Sequence, residues 1–159
     1  MNLSFQMSED DDKVKDATVS PEGYSDADYA VDRKDRKSVS NGVLYLNGMI
    51  VGWLCKKQAS VALSTMEAEF LAGSPVASEL LGMYELLDEI GIKVKVPMIM
   101  HIDNQAAIKQ ITGEDSSGRT KHIAVRHKFV KDYSKKGVIK VAYCESKMMR
   151  ADMLTKTGL

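Results

Sequence analysis

Four acidic residues in this sequence stand near the end of a predicted secondary-structure element or on the first predicted strand: Asp26, Glu69, Asp103 and Asp152. A carboxylate at the edge of an apolar core is destabilising unless a positively charged group pairs with it. Four carboxylates brought together can hold two divalent cations about 3.5–4 Å apart, which activate a water and stabilise a leaving oxygen in phosphodiester hydrolysis. Hard oxygen ligands with room for water suit Mg²⁺. These residue types therefore predict a two-metal-ion site, provided that the fold brings them together.

The segment around Glu69 separates a structural acid from a candidate ligand. Ser64 and Glu67 have capping-box spacing, in which the serine hydroxyl accepts from the third helical amide and the glutamate accepts from the serine amide. Glu69 has no such local role. It shares a helix ridge with Met66 and Gly73, so it borders the apolar face of the predicted helix. We expect the Glu69 carboxylate to bind a metal ion there.

Two further acids are placed by strands. Residues 24–30 alternate like a strand, with Asp26 and Asp28 on one face. Since two acids on one face repel each other, the pattern is a poor choice for structure alone, and Asp28 is interpreted as a solvated or loop-capping acid. Asp103 directly follows the apolar run Pro97–Ile102. It therefore stands at the carboxyl end of a predicted buried strand, where α/β folds place ligands.

The remaining patterns predict the elements that position these acids. Asn47-Gly48 between two apolar arms is the signal of a type I′ hairpin turn. A capped helix should run from Thr65 to about Glu89, with a kink at Pro75, because proline removes a hydrogen bond. The predicted order is strand (24–30), hairpin (39–46 and 49–54), helix (65–89), strand (97–102), helix (104–111), helix (121–135), strand (138–143) and a last helix from residue 151.

Length and composition are those of one globular domain. The chain has 159 residues, of which 44% are hydrophobic and 28% charged, enough to bury a core. We expect residues 1–20, which are polar and acidic, to form a disordered tail, and residues 21–159 to form the domain, with a truncated final helix. The sequence has no apolar run of bilayer-spanning length and no signal peptide. These features favour an intracellular protein with two reduced cysteines, neither secreted nor in a membrane.

Basic residues concentrate toward the end of the sequence, although the net charge is zero. From Lys109 onward there are twelve basic and five acidic residues, a net charge of +7. In the predicted basic helix, Lys121, Lys128, Lys131 and Lys135 share one face at spacings of seven, three and four. This asymmetry indicates either a polyanionic partner such as nucleic acid or a solvated helix face, and charge alone favours neither.

Six motifs resemble the ribonuclease H domain of polyproteins from copia-type (Pseudoviridae-like) LTR retrotransposons, and they occur in that family's order. They are Gly23–Asp28, Trp53–Gln58, Ser64–Glu69, Asp103–Gln105, Lys121–Ile123 and Ala151–Lys156. One such motif would be weak, whereas six in register are specific. The resemblance implies a ribonuclease H-like α/β fold, with a mixed central sheet of about five strands and helices on both faces.

The resemblance also implies an endonuclease that cuts the RNA strand of RNA–DNA hybrids with two Mg²⁺ ions, for which Mn²⁺ can substitute. By position, Asp26 would bridge both ions, with Asp152 beside it at the water-activating ion and Glu69 and Asp103 at the other. An upstream reverse transcriptase of the same polyprotein is an implied partner. The residues expected to contact nucleic acid are Ser64, Thr65, Asn104 and Gln105 at the minor groove and 2′-hydroxyls, and Lys121, His122, Lys128 and Lys131 on the basic surface.

Two alternatives to an active enzyme stay open. A non-catalytic nucleic-acid-binding domain would keep the fold and the basic surface without the metal geometry, and an inactive retrotransposon relic would have the same sequence features. The segment Glu145–Arg150 lacks the histidine that cellular ribonucleases H carry shortly before the fourth carboxylate. A carboxylate-pair glycosidase is disfavoured, because it needs two acids rather than four.

Overall fold

The computed structural model describes residues 18–112 and 128–145. Within them, the strands are β1 (Thr18–Val19), β2 (Pro21–Asp28), β3 (Val39–Leu46), β4 (Met49–Lys57), β5 (Lys93–Val94), β6 (Met98–Ile102) and β7 (Ile139–Tyr143). Five of them form a central mixed sheet with β2 in the middle, paired antiparallel to β3 and parallel to β6. The outermost strands of this sheet are β4, which pairs with β3, and β7, which pairs with β6.

This sheet and the helices that pack on it confirm the predicted α/β class with about five strands. The described helices are α1 (Thr65–Glu89), α2 (Gln105–Thr112) and α3 (Lys128–Lys135). Helix α1 continues through Pro75 as one helix of 25 residues. It ends where predicted, because Gly91 adopts a left-handed φ of 83° that only glycine adopts without strain.

The core lies between one face of the sheet and these three helices. Alternate residues of β6 and β7 point into it, which is the period-two pattern of strands packed on one face. The opposite face carries a smaller cluster of Tyr24, Val43 and Tyr45. The main core contains Leu44, Phe70, Val76, Ala77, Leu80, Leu81, Met98, Met100, Ile102, Ala107, Ile111, Val130, Ile139 and Val141.

Two glycines let α1 approach the sheet closely. A Cβ atom at Gly42 would lie 2.5 Å from Val76 Cγ2, and one at Gly23 would lie 2.8 Å from Val76 Cγ1. Both distances are far shorter than a carbon–carbon contact allows. The absence of side chains at these two positions therefore sets the distance between α1 and strands β2 and β3, and with it the distance between acids on the two elements.

The hairpin is the predicted one but is longer than expected. Asn47 and Gly48 have φ values of 51° and 80°, as a type I′ turn requires. Strand β4 extends to Lys57 because its last residues pair with the start of β3, Lys57 with Val39.

At the beginning of the described chain, Thr18–Val19, within the predicted tail, pairs in parallel with β5. Residues 121–127 of the predicted basic helix and the predicted helix from residue 151 lie outside the described residues. Across the two described ranges, none of the helices is both long enough and apolar enough to cross a bilayer.

Candidate active site

Three of the four predicted acids converge at one edge of the sheet. Each of Asp26, Glu69 and Asp103 offers a carboxylate oxygen, and these atoms lie within 4.8 Å of one another. Asp26 comes from the carboxyl-terminal part of β2, Asp103 directly follows β6, and Glu69 belongs to the second turn of α1. Because β2 and β6 are parallel neighbours, their carboxyl ends meet at the same edge. The predicted convergence of these three is confirmed, and Asp152 lies outside the described residues.

The carboxyl group of Glu69 is strongly perturbed by its surroundings. Its side chain is buried, and burial together with the negative charges of Asp103 and Asp26 raises the pKa of Glu69 to about 10. One oxygen, Oε1, accepts a hydrogen bond of 3.1 Å from the amide of Ala27. The other, Oε2, is buried and has no hydrogen-bond partner among the described residues. A buried carboxylate beside two others is unfavourable unless a proton or a cation compensates it.

The donor set fits a hard divalent cation. Carboxylate oxygens from three elements approach one another within the reach of a single ion. Glu69 Oε2 is buried, and nothing in residues 18–112 or 128–145 forms a hydrogen bond with it. Mg²⁺ and Mn²⁺ prefer such oxygen ligands, and Mg²⁺ keeps several waters when few protein ligands are present. Asp26, Glu69 and Asp103 are therefore suitable ligands for Mg²⁺.

The start of α1 differs from the predicted capping box in one bond. Ser64 Oγ accepts from the amide of Glu67 at 3.1 Å, as expected. The carboxylate of Glu67, however, accepts from the amide of Leu63 at 2.8 Å rather than from that of Ser64. Ser64 is extended, with φ −156° and ψ 163°, and Leu63 N–H is the donor that the glutamate reaches. Glu67 thus has the capping role that separates it from Glu69.

Gln58 positions α1 and had no role assigned from the sequence. Its side chain is buried, and Nε2 donates to Ser40 Oγ and to the carbonyl of Ala68, both at 3.0 Å. Its backbone amide donates to the carbonyl of Ser38 at 2.8 Å. Since Ala68 precedes Glu69, these bonds connect β3 to the helix turn that carries the candidate ligand. The motif Trp53–Gln58 was a signal for this residue, but its partners are distant in sequence.

Asp28 lies outside the carboxylate cluster. Its Oδ2 accepts from Asn41 Nδ2 at 3.3 Å, and Asn41 is the β3 residue opposite Asp26. This places Asp28 as an acid held by a neighbouring strand, close to the site but not among the three converging carboxylates.

The residues predicted to contact nucleic acid occupy two helix starts and one helix surface. Thr65 and Gln105 are exposed first residues of α1 and α2. Asn104 precedes α2 and its Oδ1 accepts from the amide of Ala107 at 2.9 Å, which leaves its NH₂ group to donate. In α3, Lys128 is exposed and Lys131 half-buried. Lys121 and His122 fall outside the described residues.

The fold and the site together define a class of protein. The structure is similar to that of LC11-RNase H1 in complex with an RNA/DNA hybrid, with a TM-score of 0.61, 14% sequence identity and coverage of 85% of this chain and 93% of that one. The chain therefore has the ribonuclease H fold, with three acids gathered at one edge of its sheet.

Sequence comparison identifies relatives of this chain. No protein-family model matches the chain. It is 33% identical over 142 residues to the retrovirus-related Pol polyprotein from transposon RE1 of Arabidopsis thaliana, and 34% identical over 142 residues to that from transposon RE2 of the same plant. Each match covers 89% of this chain and 10% of the polyprotein. The chain is a homologue of one segment of these copia-type retrotransposon Pol polyproteins, and the resemblance read from its motifs is confirmed.

Proposed function

We propose that this chain is a ribonuclease H that hydrolyses the RNA strand of RNA–DNA hybrids with two Mg²⁺ ions. The observation that carries the proposal is the approach of three carboxylates, within 4.8 Å of one another, at one edge of a ribonuclease H fold. Asp26, Glu69 and Asp103 would hold the ions, with Asp152 as the fourth ligand. Bound there, the ions would activate the attacking water and stabilise the leaving oxygen.

The protein's own contribution is to hold these acids before substrate arrives. Asp26 is part of a strand paired on both sides, and Glu69 is fixed by the Ala27 amide and by the buried contacts of α1. Burial of Asp26 and Glu69 keeps bulk water from solvating them, which strengthens their attraction for a cation. Such preorganisation means that little rearrangement is needed at the moment of reaction.

Polar residues that neighbour the carboxylates in the chain support an RNA–DNA hybrid as the substrate. Thr65, Asn104 and Gln105 can donate hydrogen bonds to base edges and to RNA 2′-hydroxyls, which is how a protein distinguishes RNA from DNA. Lys128 and Lys131 would neutralise backbone phosphates without reading sequence. The similar structure of LC11-RNase H1 holds an RNA/DNA hybrid, which supports the same substrate here. The relationship to Pol polyproteins supports a reverse transcriptase as partner, in an intracellular setting.

A strand-resolved cleavage assay tests this function. Hybrids carrying a label on either the RNA or the DNA strand are incubated with the protein in Mg²⁺, in Mn²⁺ and in EDTA. We expect cleavage of the RNA strand alone with either metal, leaving 5′-phosphate and 3′-hydroxyl ends, and none in EDTA. Single-stranded RNA and duplex DNA serve as control substrates and should stay intact. Tight hybrid binding without cleavage in Mg²⁺ would instead favour a non-catalytic binding domain.

A further inference from the structure

The segment between β2 and β3 contains a compact basic loop, residues 32–37, that the motifs did not assign. Its ends are joined, because the amide of Asp32 donates to the carbonyl of Lys37 and the amide of Arg36 donates to the carbonyl of Asp32, at 3.4 and 2.8 Å. Asp32 Oδ1 accepts from the amide of Lys34 at 2.8 Å, and Asp35 Oδ1 accepts from that of Lys37 at 3.0 Å. These bonds define the conformation of the 32–37 loop.

Lys57, at the end of β4, anchors this loop through both of its acids. Its Nζ lies 2.7 Å from Asp32 Oδ2 and 2.6 Å from Asp35 Oδ2. The hydrogen bonds from Lys57 hold the pKa of both carboxyls below the ordinary value of 3.8. Both acids of the loop are therefore charged and paired at neutral pH, on the side that faces β4.

The basic side chains of the loop are left for another partner. Residues 32–37 contain four basic residues and two acidic ones, a net charge of +2. Arg33, Lys34 and Arg36 are exposed, and no ion pair within the described residues involves them. Arginine in particular matches the bidentate geometry of a phosphate group.

The loop lies at the same edge of the sheet as the carboxylate cluster. Strand β2 ends at Asp28, two residues after Asp26, and the loop follows from there. Five residues of extended chain span at most about 18 Å, so Arg33 is no farther than that from the end of β2. One nucleic-acid strand advances about 3.4 Å per nucleotide. The loop is therefore within about five phosphates of a strand that passes the site.

We infer that the 32–37 loop is a clamp for the phosphodiester backbone of the nucleic acid that the site binds. This inference rests on the proposed function. The paired acids fix the loop, and the exposed arginines and lysine contact phosphates beside the carboxylates. It adds a second basic surface, separate in the chain from Lys128 and Lys131 of α3.

A pair of charge-matched variants tests this surface. Arg33→Gln/Arg36→Gln removes two charges from the loop. Lys93→Gln/Lys95→Gln is the control and removes two exposed charges in and directly after β5, which follows the C-terminal end of α1. Helix α1 ends at Glu89, about 30 Å along the helix from Glu69, so the control lies well away from Glu69. Binding of a fluorescent RNA–DNA hybrid is measured by anisotropy in Ca²⁺ between 50 and 200 mM salt, and turnover is measured in Mg²⁺.

For the loop variant we expect the slope of log affinity against log salt to flatten by about 1.8, and affinity at 0.1 M salt to fall roughly 10- to 60-fold. Turnover at saturating hybrid should stay within about twofold of the wild type, because the carboxylates are untouched. The control should match the wild type in slope and affinity. Equal affinity and slope in the loop variant and the control would overturn the clamp. Failure of the wild type to bind or cut hybrid would instead reject the proposed function itself.

A second variant tests whether the anchoring matters. Asp32→Asn/Asp35→Asn keeps every basic residue, raises the net charge by two and removes the ion pairs to Lys57. With an anchored clamp, the freed loop should bind hybrid more weakly than the wild type despite its extra charge. If binding tightens, charge alone acts and the anchoring of the clamp is refuted.

Discussion

Glu69→Gln should stabilise the metal-free protein while removing its metal site. The pKa of Glu69 is raised from 4.5 to about 10. An acid whose folded pKa is raised binds its proton more tightly when folded, so its contribution to stability is fully present below pH 4.5 and is lost as pH rises toward 10. Glutamine cannot ionise, and its side-chain oxygen can still accept from the Ala27 amide. The variant should therefore lack this pH dependence.

The size of the effect follows from the pKa shift. Between pH 4.5 and pH 7 the wild type should lose about 3 kcal/mol relative to Glu69→Gln, since each pH unit in this window is worth about 1.4 kcal/mol. For a chain of this length, such a difference corresponds to roughly 6–12 °C in Tm. The comparison between the two proteins cancels the titration of groups that do not interact with Glu69.

Urea unfolding in EDTA at pH 5, 6 and 7 measures this difference. We expect the stability gap to widen with pH in favour of the variant. Adding Mg²⁺ should then stabilise the wild type, by about 2.7 kcal/mol when the ion is at 100 times its Kd, and leave the variant unchanged. A constant gap across pH, or a variant less stable than the wild type at pH 7, would refute the assignment of a buried, repelled carboxylate.

Four other results are expected. Lys128→Gln/Lys131→Gln should weaken binding to every hybrid sequence alike and flatten the slope of log affinity against log salt by about two, with turnover at saturating hybrid nearly unchanged. If anisotropy instead shows wild-type affinity at all salt concentrations, this surface of α3 is only a solvated helix face. Gly42→Ala should lower the free energy of unfolding in urea by about 1–3 kcal/mol, because its Cβ would lie 2.5 Å from Val76 Cγ2. Gly82→Ala, whose Cβ would have nothing within 4 Å, should instead stabilise the protein by up to about 1 kcal/mol. Ca²⁺ should support hybrid binding without turnover.

The convergence of the acids was predictable because it depends on local patterns. A strand end at Asp103, a helix start before Glu69 and a strand through Asp26 each leave a signal in a few neighbouring residues. The parallel pairing of two such strands then brings their ends together. The hairpin turn was predictable for the same reason, since Asn47-Gly48 selects its own geometry.

The hydrogen bonds and ion pairs that hold the elements around the site in place were not predictable in this way. Gln58 bonds Ser40, which is 18 residues away, and Ala68, which is 10 residues away. Lys57 was taken to lie beyond its strand, yet it pairs with Val39 and binds the acids of the 32–37 loop. These contacts depend on how the strands lie side by side, and no local period encodes them. The same holds for Glu67, because its hydrogen bond with the Leu63 amide depends on the path of the chain before the helix.

A comparison of the variants Asp103→Asn and Asp28→Asn tests the central claim most directly. Both variants remove one acid beside Asp26, but only Asp103 belongs to the cluster of converging oxygens. Initial rates of RNA-strand cleavage in Mg²⁺ are compared, with circular dichroism confirming that both variants fold. We predict that Asp103→Asn abolishes cleavage while Asp28→Asn retains a rate close to that of the wild type. Equal cleavage by wild type and Asp103→Asn would contradict the account.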